Sequence, residues 1–143
     1  MKRLVLLAVM LLGCLLAAGC GLAMNAEYAE RLDNAVLVVS EQARMAEEGK
    51  LSDAEMVQAI QDNVPRLQAF KDARGPWLGV SKVWMNTEQS LLLDKTLAWT
   101  KDMARRATGG VLASDEMKHI LRIEDELWVL FRATLAGTVP EEN

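Results

Sequence analysis

Apolar side chains recur every three or four residues along four successive stretches of the chain, which is the spacing of helices with one buried face. The first stretch runs from Asn25, a suitable N-cap, to about Glu48, with Gly49 as its stop signal. Its Ala35–Val39 run is also strand-like, but the helical spacing continues well beyond it on both sides. The apolar positions are Tyr28, Leu32, Val36, Val39, Ala43 and Ala46.

The second stretch opens with the clearest start signal in the chain. Ser52 and Glu55 have the spacing of a capping box, and Gly75 followed by proline ends the stretch. Pro65 is expected to kink this helix or to split it near Asn63, because proline lacks the backbone N–H and clashes with the preceding turn. The apolar positions are Met56, Ile60, Val64, Leu67 and Phe70.

The third stretch is the least regular of the four. We expect helix from Trp77 to about Thr108, with a break near Asn86 as one alternative. Charged side chains project from the middle of its apolar face, so either the break rotates the second half or the charges lie at the edge of a groove. The apolar positions are Trp77, Val80, Trp84, Leu91, Ala98 and Trp99, and the charges are Glu88, Lys95, Asp102 and Arg106.

The fourth stretch begins at Ser114, the predicted N-cap, and stops at Gly137. Arg122 and Glu126 are four residues apart and are expected to form an ion pair. The apolar positions are Met117, Ile120, Leu121, Leu127, Trp128, Phe131 and Leu135.

Four helices with short connections predict an all-α fold, an up-down-up-down antiparallel four-helix bundle over residues 25–137, with a short acidic tail at 138–143. The main alternative is a three-helix arrangement in which the first helix leaves the bundle to pair with another molecule.

The chain before the bundle has the features of an export signal. Lys2 and Arg3 precede an uncharged apolar run that continues to Gly19. Its end, Leu16-Ala17-Ala18-Gly19-Cys20, resembles the lipobox of bacterial lipoproteins. That resemblance implies that residues 1–19 are removed, that Cys20 carries covalent diacylglycerol and an N-acyl chain, and that residues 20–24 form a short lipidated tether.

Two alternatives to this cleavage are open. Cys14 also follows a lipobox-like Leu11-Leu12-Gly13. An uncleaved segment Leu4–Met24 is long enough to span a bilayer. Each of these puts the bundle outside the cytoplasm. Because Gly21 is not the aspartate that retains many lipoproteins at the inner membrane, the resemblance favours the outer membrane, with the bundle facing the periplasm.

The charge balance and the cysteines exclude some classes of function. Without Lys2 and Arg3 the 16 basic side chains fall to 14, against 20 acidic ones, so the mature chain would carry a net charge near −6. This balance argues against a nucleic-acid partner, which demands a basic surface. With Cys14 removed and Cys20 lipidated, no disulfide is expected.

The turn between the second and third helices is predicted to lie at the membrane-proximal end. We expect it to rest among lipid headgroups, because tryptophan with nearby basic groups is typical of an interfacial anchor. The alternative is that Trp77 and Trp84 are core residues. The predicted membrane-contact residues are Lys71, Arg74, Trp77, Leu78 and Lys82.

Apolar residues left outside the four stripes predict an interface with an envelope protein or a second copy, unless the bundle simply covers them. On the third and fourth helices they are Leu93, Leu97, Ile123 and Leu130, and on the first they include Leu37 and Val38.

No catalytic constellation and no cofactor motif is found in the sequence. Glu116 and His119 match the Glu-x-x-His spacing of metal-binding bundles, but His119 is the sole histidine, so we expect it to be solvated. We therefore expect a non-enzymatic lipoprotein that binds another protein close to the bilayer. The alternative is a bundle that holds a small apolar ligand or lipid in a core lined by Trp84, Trp99 and Trp128.

Overall fold

A computed structural model describes residues 24–75 and 81–135, and it shows four helices there. They are α1 (Ala26–Glu47), α2 (Asp53–Ala73), α3 (Thr87–Thr108) and α4 (Ser114–Leu135). Two two-residue strands, β1 (Arg74–Gly75) and β2 (Val83–Trp84), pair in parallel between α2 and α3. The predicted all-α four-helix bundle is confirmed. The leader, Cys20 and the acidic tail lie outside the described residues.

Side-chain caps fix where three of the helices begin. Asn25 Oδ1 accepts from the backbone N–H of Tyr28 at 3.0 Å, as predicted for α1. The Ser52–Glu55 capping box forms in both directions, at 3.2 and 3.1 Å. A second box of the same kind, between Asn86 and Gln89, starts α3. These side chains bond backbone groups that the helix itself leaves unpaired.

The start of α4 differs from the prediction. Ser114 is its first residue and not a cap, and its hydroxyl donates to Asp53 Oδ1 at 2.6 Å. The backbone N–H of Ala113 donates instead to Glu116 Oε1 at 3.2 Å. Ser114 therefore ties the start of α4 to the start of α2.

Pro65 does not divide α2, which is one continuous helix from Asp53 to Ala73. The predicted split near Asn63 is wrong. Pro65 is exposed, and only one hydrogen bond is lost with its N–H, so packing on both sides of it can hold the helix together.

Contacts between side chains give the relative directions of the helices. Along α1 and α4, Glu47 pairs with Arg122 at 2.5 Å and Asp33 with Arg132 at 3.9 Å, so the two helices are antiparallel. The predicted Arg122–Glu126 pair is replaced by this contact with α1.

The helices α2 and α3 are also antiparallel. Lys71 Nζ lies 3.8 Å from Asp94 Oδ1 near one end, and Gln61 Nε2 donates to Thr108 Oγ1 at 2.6 Å near the other. The most extensive packing is between α1 and α4 and between α2 and α3, whereas α1 and α2 contact each other much less.

The core consists of two apolar clusters stacked along the bundle. The first cluster is centred on Phe70, which makes edge-on contacts at 5.6 to 5.8 Å with Tyr28, Trp128 and Phe131. The second cluster lies toward the α1–α2 turn and contains Met56, Ile60 and Leu121 among others. Fully burying a side chain of this size contributes about 1.5 to 3 kcal/mol, so the two clusters supply most of the stabilisation.

The buried face of α3 is not the predicted one. Leu93 and Leu97 are 0% and 2% exposed in the first cluster, whereas Leu91 is 52% exposed. The interface predicted at Leu93 and Leu97 is therefore wrong, because both side chains are core residues. The stripe counted from Trp77 is wrong, but the alternative of a break near Asn86 is confirmed, because the cap at Asn86 starts the helix anew and changes its phase.

Candidate functional site

A layer of polar side chains lies between the two apolar clusters. Asn63 on α2, Thr100 on α3 and Glu124 on α4 are at most 2% exposed. Each sits between residues of the two clusters on its own helix, as Glu124 does between Leu121 and Trp128. Buried polar groups of this kind normally have hydrogen-bond partners.

The layer contains one strong hydrogen bond and several unsatisfied groups. Trp128 Nε1 donates to Asn63 Oδ1 at 2.6 Å. The amide nitrogen of Asn63 and the hydroxyl of Thr100 make no hydrogen bond within the described structure. The carboxyl oxygens of Glu124 have no partner there at hydrogen-bond geometry, although the Asn63 side chain is near enough to act on the carboxyl. A buried polar group that is left unpaired costs about 1 to 3 kcal/mol.

Burial raises the pKa of Glu124 to about 8, because the ionised carboxylate would lose its hydration inside the bundle. The neighbouring Asn63 side chain and the positive charge of Arg66 act in the opposite direction, but burial outweighs them. Glu124 is therefore mostly protonated at neutral pH.

A groove open to solvent runs between α1 and α2, which pack against each other much less than α1 packs against α4. Its volume is about 510 Å³. Each helix contributes lining residues at positions i, i+3, i+4 and i+7, which is one face of each helix. The lining residues are Arg31, Asn34, Ala35 and Val38 on α1 and Asp62, Pro65, Arg66, Ala69 and Phe70 on α2.

Most of the groove lining is apolar, and part of it is exposed to solvent. Val38 is 41% exposed, and the adjacent Leu37 is 66% exposed. Ala35 and Ala69 have small side chains, so a ligand can approach the helix backbones closely there.

Arg66 joins the groove to the polar layer. Its side chain lines the groove, while its Nη1 atom is buried without a hydrogen-bond partner, and its charge acts on Glu124. Arg31, the other groove arginine, is already paired with Glu27 at 2.8 Å and lies over the Tyr28 ring. In the ranges 24–75 and 81–135, Arg66 has no carboxylate within ion-pair distance.

Three of the predicted membrane-contact residues, Lys71, Arg74 and Lys82, lie at one end of the described bundle. Arg74 pairs with Asp94 at 2.8 Å, and Lys71 lies 3.8 Å from the same carboxylate. Lys82 is exposed, with Nζ 5.8 Å from the centre of the Tyr28 ring. Trp77 and Leu78 lie outside the described residues.

The N-terminal end of the described chain is fastened to this same region. Met24 forms an antiparallel bridge with Val83, and the Asn25 N–H donates to the Lys82 carbonyl at 2.9 Å. Met24 is itself a core residue, 8% exposed. A chain leading back to Cys20 therefore departs next to Lys82.

Of the predicted interface residues on α4, Leu130 is 40% exposed and Ile123 is half-buried. They lie on the helix that packs against α1, and neither lines the groove. The sequence signal for the groove was Val38, which falls off the α1 stripe and lines the groove, whereas Leu37 does not line it.

The three tryptophans proposed to line a ligand core do not line one cavity. Trp128 belongs to the first cluster, Trp99 is half-buried against the second, and Trp84 lies in β2. The space beside Trp128 is about 10 Å³, roughly enough for one water molecule.

His119 is exposed, and across residues 24–75 and 81–135 no three metal-binding side chains come together. Within those same ranges, no helix has the length and apolar character needed to cross a bilayer. No protein-family model, no curated protein and no solved structure matches the chain.

Proposed function

We propose that the chain is a non-enzymatic envelope lipoprotein, anchored by lipid on Cys20, whose bundle binds another protein through the α1–α2 groove. The observation that carries the proposal is the groove, whose largely apolar lining includes the exposed side chain of Val38. Contiguous exposed apolar surface usually marks a contact site. The expected location is the outer membrane, with the bundle facing the periplasm.

The position of Met24 supports a close approach to the bilayer. Four residue steps separate it from Cys20, so a lipidated tether would reach at most about 14 Å. Arg31 and Val38 lie about 9 and 20 Å along α1 from Asn25, at 1.5 Å per residue. The groove would thus open within a few tens of ångströms of the lipid, on the flank of the bundle.

The basic end of the bundle fits the same orientation. Lys71, Arg74 and Lys82 surround the point where the tether departs, and with Trp77 and Leu78 they remain our proposed contact with lipid headgroups. Because Arg74 and Lys71 share Asp94, Lys82 is the basic side chain of the three that is free to approach a phosphate group.

A small apolar ligand or lipid is the second candidate occupant. A volume of about 510 Å³ lies within the range of small-molecule sites. The groove is open along its length, however, so such a ligand would keep much of its surface in water. This geometry favours a protein partner.

Site-specific photo-crosslinking in cells that express the full chain would test the proposal. A photoreactive residue at Val38 should yield a discrete protein adduct in the membrane fraction. The matched control is Leu91, which is also an exposed apolar residue but lies on α3 outside the groove. The same adducts from both positions, or none from Val38, would contradict a groove-bound partner. An adduct of twice the chain mass would identify a second copy as that partner.

A further inference from the structure

We infer that the groove receives an amphipathic helix that carries a carboxylate opposite Arg66. This inference rests on the proposed protein-binding function and specifies the chemistry of the partner.

The lining of the groove favours a helix over an extended peptide. Both walls are α-helices, whose backbone groups are hydrogen-bonded within the helix except for the one bond lost at Pro65, so an extended peptide would find no row of backbone partners along them. A helix satisfies its own backbone and offers only side chains. The lining spans eight residues of α1 and nine of α2. Their ends are about 10 to 12 Å apart at 1.5 Å per residue, which matches two turns of a bound helix.

The groove floor determines where the partner helix needs apolar residues. Ala35 on α1 and Ala69 on α2 contribute small side chains to the groove, and Val38 and Phe70 contribute larger apolar ones. Apolar residues of the partner at i, i+3 or i+4 and i+7 would fill this floor. The bound helix would lie between α1 and α2 and would cover the groove that their limited contact leaves open.

The charged side chains of the groove determine which charge the partner helix needs. Arg66 is the groove cation without a carboxylate partner, since Arg31 is held by Glu27. Asp62, the groove anion, lies one turn before Arg66 on α2 but is not within ion-pair distance of it in the described structure, and it accepts from the Gln58 amide at 2.7 Å. Removing Arg66 from water beneath a partner is costly unless a counter-charge arrives with that partner, so the partner is expected to supply an aspartate or glutamate.

Glu124, whose pKa is affected by Arg66, does not supply the counter-charge that Arg66 needs. Glu124 is mostly neutral at pH 7, because the bundle buries it, so it does not neutralise the guanidinium from below. A carboxylate that arrives from the groove side is thus the available counter-charge for Arg66.

The test is a selection of short helical peptides, from a displayed library, on the purified full-length chain in detergent micelles at pH 7. We expect the selected peptides to share a two-turn apolar face and one acidic residue. Changing that acidic residue to its amide should weaken binding about tenfold or more, as expected for loss of a charged hydrogen bond. Arg66→Gln should weaken binding of the acidic peptide by a similar factor.

Two controls separate recognition from folding. Arg105→Gln removes an exposed arginine on α3, outside the groove, and should leave binding unchanged. The amide peptide should bind wild type and Arg66→Gln equally, because a double-mutant cycle isolates the pair. Since the peptide change leaves the protein intact, it tests the pairing even if Arg66→Gln unfolds the bundle.

Selected peptides without an acidic residue, peptides insensitive to Arg66→Gln, or no selected peptide at all would overturn the inference. If Val38 still gave its adduct in cells, the proposed function would stand while this inference failed. Arg66-dependent peptides without a Val38 adduct would support the groove chemistry and contradict the proposed cellular function.

Discussion

Replacing Glu124 by glutamine should remove a large pH dependence from the stability of the bundle. The pKa of this carboxyl rises from its ordinary value near 4.5 to about 8 on folding, chiefly because Glu124 is only 2% exposed. Between these two pH values the unfolded chain has released the proton and the folded chain has kept it. Stability therefore falls as pH rises through this window and levels off above it.

The size of the effect follows from the shift. Each pKa unit corresponds to about 1.36 kcal/mol, so a shift of about 3.5 units corresponds to about 5 kcal/mol between pH 4.5 and pH 8. Glutamine has a similar shape and no charge at any pH. Glu124→Gln should match the wild type near pH 5 and should exceed its free energy of unfolding by a few kcal/mol at pH 8.

Urea unfolding followed by tryptophan fluorescence at several values from pH 5 to pH 8.5 would measure this difference. The matched control is Glu126→Gln, which changes an exposed glutamate on the same helix and should follow the wild type. The pKa values of the paired surface carboxyls of Glu41, Glu48 and Asp102 are lowered by their basic neighbours, so they affect stability below this window. Parallel curves for wild type and Glu124→Gln would refute the reasoning.

Two further predictions concern packing and capping. Leu93→Ala should lower the free energy of unfolding by about 2 to 5 kcal/mol, because it opens a cavity in the first cluster, whereas Leu91→Ala on the exposed face should change it by less than about 0.5 kcal/mol. Equal effects in urea unfolding would contradict the assigned face of α3. Ser52→Ala should cost about 1 kcal/mol by removing half of the capping box of α2, with Ser90→Ala, within α3, as a non-capping control. Equal midpoints for the two serine variants would argue against the cap.

Local signals allowed much of the fold to be predicted from the sequence. The cap at Asn25, the box at Ser52 and the stripes of α1, α2 and α4 each depend on residues within a few turns of one another. The face of α3 was missed because the Asn86–Gln89 box went unrecognised. A cap resets the phase of a helix, so a stripe counted across it points the wrong way.

The groove and the polar layer were harder to predict, because each depends on how distant helices pair. The helices α1 and α2 are consecutive in the sequence, but α1 packs mainly on α4. The groove between α1 and α2 depends on this pairing. The layer left a readable sign, since Asn63 and Glu124 occupy core spacing between apolar residues. The hydrogen bond from Trp128 to Asn63 and the unpaired carboxyl of Glu124 could not be predicted, because both depend on contacts between different helices.

The proposal that the bundle is held at a membrane and binds another protein there depends on lipid attachment to Cys20. Mass spectrometry of the chain purified from its native envelope tests this claim most directly. We expect an N-terminal peptide that begins at Cys20, lacks residues 1–19 and carries the mass of acyl chains, and we expect Cys20→Ala to abolish that species. A freely soluble cytosolic chain that keeps its first nineteen residues would contradict the account.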